Sequence, residues 1–321
     1  MQNYKLYFAP FQGITGHIYR KNWAKRFSGV DKMFTPFFTG VSNYKTFSKR
    51  QLFELSSTNF GNTKVIPQIN SKSSTEILQF AQFCNDLGFD ELNWNLGCPF
   101  PRVAKRGRGS GLLAKPLEVD NILNEVFAEI KINFSIKCRI GYTDKNDIFE
   151  LIPIFNKYSL SELIVHPRTG NQMYKGDVDL SVFKQVADLY KGNLVYNGDI
   201  LKISDIYKIQ KLAPSVDTFM IGRGLLSNPF LAMQINNIEF ANPTETLKSF
   251  IDDLLFDYIK QINNDGVVVN ILKELWKYLS SSFGDGNSVF NIIKRTQNLD
   301  EYQTAVRRVF NEFEFVVIAA R

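Results

Sequence analysis

The sequence is poor in cysteine and has no long apolar run, and both shortages exclude classes of protein. Its three cysteines, Cys84, Cys98 and Cys138, are odd in number, and their spacing matches neither a disulfide framework nor a zinc module. We therefore expect no metal centre and a reducing, cytoplasmic location. No stretch approaches the roughly 18 consecutive apolar residues of a membrane-spanning helix. The first residues lack a charged segment followed by an apolar one, so no signal peptide is expected either.

Charge of one sign is only slightly in excess. The chain has 38 Lys and Arg against 32 Asp and Glu, a formal net charge of +6. Residues 1–240 carry 29 basic and 21 acidic side chains, net +8, whereas residues 241–321 carry 9 and 11, net −2. This asymmetry is compatible with a polyanionic partner, but lysines that only maintain solubility are the more common cause of such an excess. Charge alone therefore identifies no partner.

What the sequence does contain is a regular alternation of short β-rich runs and longer amphipathic stretches. With 44% hydrophobic residues in a chain of 321, there is enough apolar material for one large core. In one amphipathic stretch, residues 74–87, apolar residues recur at helical spacing. Eight such units predict a (β/α)₈ TIM barrel over residues 1–240 rather than an open doubly wound sheet. The eight predicted strands are residues 5–9, 33–37, 65–69, 91–95, 134–138, 162–166, 193–197 and 217–221.

A different pattern begins at Asn242. This residue can cap a helix, Pro243 suits the first helical position and Glu245 the third. Two apolar stripes of helical period then follow, in residues 247–262 and 271–279, and no β alternation returns. Residues 241–321 are therefore predicted to form a small all-helical domain.

Polar residues stand where the predicted strands end. In a (β/α)₈ barrel the reacting groups lie at the carboxyl ends of the strands. Strand alternation places Lys137 and Arg139 on the inner face and Cys138 against the helices, where it packs. The polar residues at the strand ends are Gln68, Asn95, Lys137, Arg139, His166, Asn197, Asp199 and Arg223.

Two glycine-containing tripeptides follow the last two strands. Asn197-Gly198-Asp199 and Gly222-Arg223-Gly224 lie where this fold often binds phosphate through exposed backbone N–H groups, and Arg223 adds a bidentate donor. Each tripeptide is also an ordinary turn sequence. Their joint position favours phosphate binding over turn formation.

The most specific segment is the loop after the fourth strand, which contains Cys98. A single cysteine is most often a small buried apolar residue, as Cys84 is expected to be within its helical stripe. Cys98 differs because it stands between Gly97 and Pro99 at a strand end, facing the predicted pocket. Basic and glycine residues then follow over residues 102–111.

Residues 93–99, Asn-Trp-Asn-Leu-Gly-Cys-Pro, and their glycine-rich continuation resemble the signature of the tRNA-dihydrouridine synthases. Further blocks resemble that family in the same order, at residues 9–15, 67–68, 137–139, 165–169, 197–200 and 220–224. A helical tail after the barrel is also a feature of the family. Residues 273–279 resemble the bacterial subgroup that acts at position 16.

The resemblance implies an FMN-dependent enzyme that reduces the C5–C6 double bond of a uracil base in tRNA, with NADPH as electron donor. Cys98 would be the proton donor, a role that requires a neutral thiol. The nearby cations Lys137 and Arg139 would lower the thiol pKa, so they are expected to face the base carbonyls or the flavin. The residues implied for FMN binding are Pro10, Phe11, Gln12, Gln68, Lys137, His166, Asn197, Gly198, Asp199, Gly222 and Arg223.

The resemblance also implies contacts with the tRNA, which has to present a flipped-out base. Asn95 would read the uracil edge, and Arg139, Arg168 and Tyr174 would contact the substrate. Ordinary solvated charges are the alternative for the more distant cations, and a monomer is expected. The candidate contacts to the tRNA backbone are Arg102, Lys105, Arg106 and Arg108 in the loop, and Lys273, Lys277, Lys294, Arg295, Arg307 and Arg308 in the tail.

Departures from the family pattern weaken some of these assignments. Phe11 stands where methionine is frequent, Gly16 where aspartate is usual, and Pro167 where glycine is usual. Gly16 leaves the first loop without a carboxylate, and Pro167 removes a backbone N–H beside His166. Two other functions stay open: an FMN-dependent barrel reductase of a small molecule, and a tRNA-binding module without chemistry.

Overall fold

The computed structural model describes residues 4–41 and 47–316, and their central element is a closed parallel sheet. Its strand order is β3-β4-β2-β1-β10-β9-β8-β7-β6-β5. All neighbours pair in parallel except β3, which pairs with β4 in antiparallel fashion. The strands are β1 (Lys5–Phe8), β2 (Lys32–Phe34), β3 (Asn59–Phe60), β4 (Thr63–Ile66), β5 (Gln68–Ile69), β6 (Glu91–Leu96), β7 (Asn133–Gly141), β8 (Leu163–Thr169), β9 (Leu194–Gly198) and β10 (Thr218–Ile221).

The sheet closes through β4 and β5, which together form the third barrel strand. Pro67 separates them, because a proline has no N–H for the ladder. β4 pairs with β2 and β5 pairs with β6, so the two halves of one strand join the two edges of the sheet. The (β/α)₈ barrel is therefore confirmed, with a strand at each of the eight predicted places.

The carboxyl ends of β2, β7 and β8 differ from prediction by three residues, and the other strand ends differ by less. β2 ends at Phe34, whereas β7 continues to Gly141 and β8 continues through Pro167 to Thr169. The register between β7 and β8 shifts from Arg139 to Gly141, and such an irregularity accommodates a proline within a strand.

Helices cover the outside of the barrel. α3 begins at Ser74 as predicted, because the Ser73 side chain accepts a hydrogen bond from the Glu76 N–H at 3.3 Å. Ile77 and Cys84 of its apolar stripe are buried, but Leu87 follows the helix end and is 42% exposed. The helices are α1 (His17–Arg26), α2 (Lys49–Glu54), α3 (Ser74–Asp86), α4 (Pro101–Ala104), α5 (Pro116–Glu129), α6 (Asp147–Phe155), α7 (Leu180–Leu189), α8 (Ile203–Leu212), α9 (Arg223–Ser227) and α10 (Leu231–Ile235).

Four further helices form the tail: α11 (Pro243–Gln261), α12 (Asp265–Leu279), α13 (Gly286–Lys294) and α14 (Leu299–Glu312). The helix start at Pro243 is confirmed. Its cap is not the predicted one, since Asn242 adopts a left-handed conformation at φ 48° and makes no side-chain cap hydrogen bond. No helix among residues 4–41 and 47–316 is long and apolar enough to cross a membrane.

The tail packs against the barrel through a shared apolar core. The Phe27 ring lies 5.0 Å from that of Phe230 and 5.1 Å from that of Phe250 on α11. At the edge of this contact, Asp253 and Asp257 of α11 accept hydrogen bonds from basic and amide side chains of α1. The division into domains at residue 240 stays a prediction, because one core spans both parts.

Candidate active site

A cavity of about 270 Å³ opens at the carboxyl ends of the barrel strands. Cys98, Asn95, Arg139 and Tyr174 line it, together with two residues of the tail helix α12. Eleven further lining residues are those that the sequence predicts for FMN binding: Pro10, Phe11, Gln12, Gln68, Lys137, His166, Asn197, Gly198, Asp199, Gly222 and Arg223. The closed sheet therefore brings residues from seven blocks of sequence to one site.

Cys98 is held by hydrogen bonds to its backbone. The N–H groups of Gly97 and Cys98 donate to Asn95 Oδ1 at 3.0 and 2.9 Å. On the other side, the backbone N–H and the hydroxyl of Ser110 donate to the Cys98 carbonyl at 3.1 and 3.0 Å. The cysteine backbone is thus held by Asn95 at the end of β6 and by Ser110 in the segment that follows the cysteine loop.

Gly109 makes this close packing possible. Its φ is +56°, in the left-handed region that favours glycine. A Cβ at this position would lie 2.7 Å from the Cys98 carbonyl oxygen and 2.9 Å from the Cys98 Cβ. The glycine after Arg108 is therefore required for the approach of one loop to the other.

The environment of Cys98 keeps its thiol protonated. The residue is 5% exposed, and burial raises the pKa of the Cys98 thiol. A hydrogen bond with the Phe100 backbone and the charges of Arg139, Arg102 and Lys137 act in the opposite direction without overcoming burial. The expected depression of the thiol pKa by nearby cations is thus outweighed, and the thiol is neutral at pH 7.

Cys84 and Cys138 differ from Cys98 because both are fully buried away from the cavity. Burial raises the pKa of Cys138 to about 12, against a smaller effect of Lys137. The packing roles predicted for these two cysteines agree with their positions in the apolar core.

The ammonium group of Lys137 lines the cavity. Among residues 4–41 and 47–316, no carboxylate forms an ion pair with its ammonium group. Burial lowers the pKa of Lys137 to about 8, and the neighbouring Arg139 adds to this effect. An ammonium group that lacks a protein partner and faces a cavity is suited to a ligand with hydrogen-bond acceptors or negative charge.

All five N–H donors of the Arg168 guanidinium are occupied by other protein groups. Its guanidinium donates to the Gly176 carbonyl from Nε and Nη2, to His166 Nε2 from Nη1 at 3.1 Å, and to both carboxylate oxygens of Asp199. It is 1% exposed and does not line the cavity. This arrangement is at odds with the predicted substrate contact, because all five donors are occupied.

The Arg168 guanidinium sets the tautomer of His166 and helps to keep Asp199 ionised. Arginine only donates, so His166 Nε2 accepts and the ring proton is on Nδ1. Burial, together with the surrounding cations, holds the pKa of His166 well below its usual range. Burial works against ionisation of Asp199, but hydrogen bonds and charges of Arg168 and Arg223 lower its pKa overall. Asp199 thereby joins Arg168 to Arg223.

Tyr174 lies between two guanidinium groups at the mouth of the cavity. Its ring centroid is 5.4 Å from Arg139 Cζ and 5.5 Å from Arg223 Cζ, distances typical of cation–π contacts. Arg139 is itself tied to the Thr169 carbonyl at 2.7 Å. The ring is 44% exposed and therefore accessible to a ligand.

The opposite wall is apolar and includes the tail. The ring of Phe11 is 5.8 Å from that of Tyr278 on α12. A Cβ at Gly222 would lie 3.1 Å from the Phe11 ring, so the ring packs directly against the backbone of this glycine. Glu274 and Tyr278 also line the cavity without having been expected there. Their sequence signal is a position one turn apart on the predicted helix, beside Lys273 and Lys277.

Glu54 supplies a carboxylate beside the first loop, where Gly16 lacks one. A Cβ at Gly16 would lie 2.8 Å from Glu54 Oε1. The same carboxylate pairs with Arg20 at 3.0 Å, and Arg20 also donates to the Thr15 carbonyl at 2.8 Å. The carboxylate therefore comes from α2 rather than from the loop itself.

The remaining predicted substrate residues lie outside the cavity. Arg102 and Lys105 are exposed on the loop after Cys98, and Lys277 and Arg295 are exposed on the tail. Lys273 is partly buried, and its ammonium group donates to the Thr296 carbonyl. Lys105 lies in a separate surface cleft whose lining is almost wholly cationic: Lys72, Lys105, Arg106, Gly107, Arg108 and Lys115.

Comparison with known proteins agrees with this architecture. The tRNA-dihydrouridine(16) synthase of Neisseria meningitidis serogroup A is 24% identical over 98% of this chain and 96% of that protein. A probable tRNA-dihydrouridine synthase of Helicobacter pylori is 26% identical over 96% and 92%. Probable tRNA-dihydrouridine synthase 2 of Bacillus subtilis is 29% identical over 71% and 69%. Since the profile of the family described as "Dihydrouridine synthase (Dus)" also matches residues 7–317, the chain belongs to the dihydrouridine synthase family.

Proposed function

We propose that this protein is a tRNA-dihydrouridine synthase that binds FMN, uses NADPH as electron donor and protonates the base through Cys98. The observation that carries the proposal is a protonated thiol at a cavity with one apolar wall and one cationic end. The family and the names of its relatives support the same reaction.

The residues around the cavity fit FMN in two respects. An aromatic ring system suits the apolar wall at Pro10 and Phe11, and the unpaired Lys137 ammonium is available for the polar edge of that ring. Arg223, with Asn197, Gly198 and Gly222, would hold the phosphate. Asp199 would act indirectly by orienting Arg223, because its carboxylate is bound by two guanidinium groups.

When bound, reduced FMN supplies the hydride that adds to C6 of the uracil. Hydride addition leaves negative charge that has to be neutralised by a proton at C5. Cys98 would donate that proton from Sγ, and it can do so at neutral pH without activation because burial keeps the thiol protonated.

Asn95 would orient the base. Its Oδ1 is occupied by two backbone N–H groups, and one Nδ2 hydrogen is given to Gln68. One N–H is left, so Asn95 would donate to a base carbonyl rather than accept from a base N–H. Arg139 and Tyr174 would contact the substrate directly, and Arg168 would act through His166 and Asp199.

The cationic cleft defined by Lys72, Lys105, Arg106, Arg108 and Lys115 would bind tRNA phosphates. The position of a Cβ at Gly107 would be 3.7 Å from Lys115 Nζ and 3.9 Å from Lys72 Nζ, so two ammonium groups converge there. Lys115 already pairs with Glu118 at 2.9 Å, but the lining as a whole keeps an excess of positive charge. RNA phosphates are the anions that such clefts bind. Arg102, Lys277 and Arg295 would extend this surface.

The subgroup acting at position 16 is the proposed specificity, supported by the relatives of that name that match most of the chain. The test is to map dihydrouridine in tRNA from cells that lack this protein. Loss at position 16 alone is expected, and loss at any other position would contradict the specificity. Comparing NADPH with NADH in the purified system tests the electron donor.

The role of Cys98 is tested by Cys98→Ala. The variant should keep its yellow flavin and its tRNA affinity but lose most dihydrouridine formation, because only the proton source is removed. Cys138→Ala is the matched control, since this neighbouring thiol faces the core and not the cavity. Unchanged turnover in Cys98→Ala would remove the thiol from the mechanism, and a colourless protein that cannot be reconstituted with FMN would contradict the proposed function as a whole.

A further inference from the structure

A continuous line of buried side-chain hydrogen bonds runs from the Cys98 loop into the barrel. The line begins where the backbone N–H groups of Gly97 and Cys98 donate to Asn95 Oδ1. The next hydrogen bond is from Asn95 Nδ2 to Gln68 Oε1, at 2.6 Å. Gln68 Nε2 then donates to Asn93 Oδ1 at 2.8 Å. Each of these side chains crosses between neighbouring strands of the closed sheet.

The line continues away from the cavity and ends on a carboxylate. Asn93 Nδ2 donates to Ser135 Oγ at 2.9 Å, and the Ser135 hydroxyl donates to Glu91 Oε1 at 2.7 Å. The other oxygen of Glu91 pairs with Lys32 Nζ at 2.7 Å. Glu91 is 5% exposed, and the three amide and hydroxyl groups before it, at Gln68, Asn93 and Ser135, are fully buried.

Every hydrogen bond in this line has the same direction, with its hydrogen pointing towards Glu91. Both ends favour this direction, because backbone N–H groups only donate and the Glu91 carboxylate, held against the Lys32 ammonium, accepts from Ser135. If all the hydrogen bonds ran the other way, the Asn95 amino group would face the N–H groups of Gly97 and Cys98, and donors would oppose donors. The line therefore has one arrangement, in which Asn95 has a free N–H for the cavity and holds the cysteine loop with its oxygen.

We infer that Glu91 is a positioning residue for the active site. It anchors the hydrogen-bond line that orients Asn95 and fixes the backbone of Cys98, although it lies four residues before the cavity residue Asn95 on β6. The anchoring is a property of the fold. Only its consequence for turnover rests on the proposed function.

Glu162 provides a matched control. A substitution there removes a carboxylate that compensates Lys32, as a substitution at Glu91 does, but it leaves the hydrogen-bond line to Cys98 intact. Lys32 Nζ also pairs with Glu162 Oε2 at 3.0 Å, so both carboxylates compensate the same ammonium. Glu162, however, accepts its hydrogen bond from the Tyr7 hydroxyl and has no part in the line to Cys98. Removing either charge leaves Lys32 with one carboxylate partner.

The experiment compares Glu91→Gln with Glu162→Gln. In Glu91→Gln the single amide oxygen is drawn to Lys32, so the amino group faces Ser135 and the line loses its acceptor. Exchange of the Gly97 and Cys98 backbone amides, and alkylation of Cys98 by iodoacetamide mapped by peptide mass, should both become about tenfold faster than in the wild type. Glu162→Gln should leave both rates unchanged, even if the two variants lose similar global stability.

Ser135→Ala keeps the inference testable if Glu91→Gln does not fold, because it breaks the same line without removing a charge. It should reproduce the faster exchange and alkylation. Equal rates at residues 97 and 98 in wild type, Glu91→Gln and Ser135→Ala would overturn the inference, as would the same increase in Glu162→Gln.

Turnover gives a second readout that separates this inference from the proposed function. For an active enzyme, Glu91→Gln should lower kcat for dihydrouridine formation at saturating FMN by about tenfold while KM for NADPH stays as in Glu162→Gln. An unchanged kcat would contradict the effect on catalysis. If the wild-type protein forms no dihydrouridine, the proposed function fails, and the amide exchange still decides whether Glu91 anchors the loop.

Discussion

If the cavity binds FMN as proposed, Lys137 should make that binding dependent on pH, and the pKa of its ammonium group sets the size of the effect. Burial first, and the charge of Arg139 second, lower the pKa of this ammonium to about 8 in the ligand-free protein. At pH 7 about nine tenths of the protein carries the charged form, and at pH 9 about one tenth does. If only the charged form donates to the ligand, FMN affinity falls about tenfold between these values, or about 1.4 kcal/mol.

The direction of the pH effect follows from the thermodynamic linkage between ligand binding and protonation of Lys137. A bound ligand that accepts from the ammonium raises its pKa in the complex, so binding is strongest below pH 8 and weakens as the pH rises through 8. Stability of the ligand-free protein has the opposite trend at this residue. Because the pKa is lower in the folded state than the usual 10.4, deprotonation above pH 8 removes a buried charge and favours folding. The phosphate of FMN does not contribute to the change in affinity between pH 7 and 9, because its second pKa is near 6 and it is already ionised over this range.

The assay is titration of the apoprotein with FMN by fluorescence quenching, at intervals between pH 7 and 9 and at constant ionic strength. Lys137→Met should bind FMN more weakly at pH 7 and lose most of the pH dependence. Lys137→Arg keeps the charge over the whole range and should also show a flat profile. The reasoning is refuted if Lys137→Met retains the wild-type slope, or if wild-type affinity rises with pH.

Three further predictions concern the rest of the site. Arg223→Ala should weaken FMN binding by about tenfold, because it removes a charged donor from the phosphate end, and full FMN occupancy after gel filtration would contradict this role. Gly109→Ala should lower the free energy of unfolding in urea by more than Gly13→Ala, which has φ +87° but nothing within 4 Å. The strain of the left-handed residue costs about 1 to 3 kcal/mol in both, so equal losses would argue against the close approach to Cys98. Lys72→Ala should reduce the salt dependence of tRNA binding by roughly one phosphate contact, whereas Lys64→Ala should not, because Lys64 pairs with Asp90 and does not line the cleft.

Much of the fold and the outline of the site follow from local sequence. Strand alternation predicts that Lys137 and Arg139 face inward while Cys138 packs outward, and the structure agrees at all three positions. The start of α11 at Pro243 can also be predicted from local sequence, because the fixed φ of proline favours the first position of a helix. The polar strand ends predict a site at one end of the barrel because the carboxyl ends of parallel strands lie at the same edge.

Which donors and acceptors remain free for a ligand could not be read from the sequence. The family resemblance implies a substrate contact at Arg168, but Gly176, His166 and Asp199 occupy all its donors. The cap at Asn242 has the right residue type, yet the left-handed backbone turns its side chain away from a cap hydrogen bond. In both cases neighbours distant in sequence, or the path of the backbone, outweigh the local preference.

The sequence by itself determined the alternation of strands and helices, the polar strand ends and the thiol at the mouth of the barrel, because these depend on residue type and period. Only the tertiary structure decided that Tyr278 closes the apolar wall, that Lys72 and Lys115 converge on one cleft, and that Glu91 connects to Cys98. Closure of the sheet brings β5, β6 and β7 side by side, and the hydrogen bonds between their side chains exist only in that register. Hydrogen bonding is a property of pairs, so a single position in the chain cannot predict whether its polar group is still available.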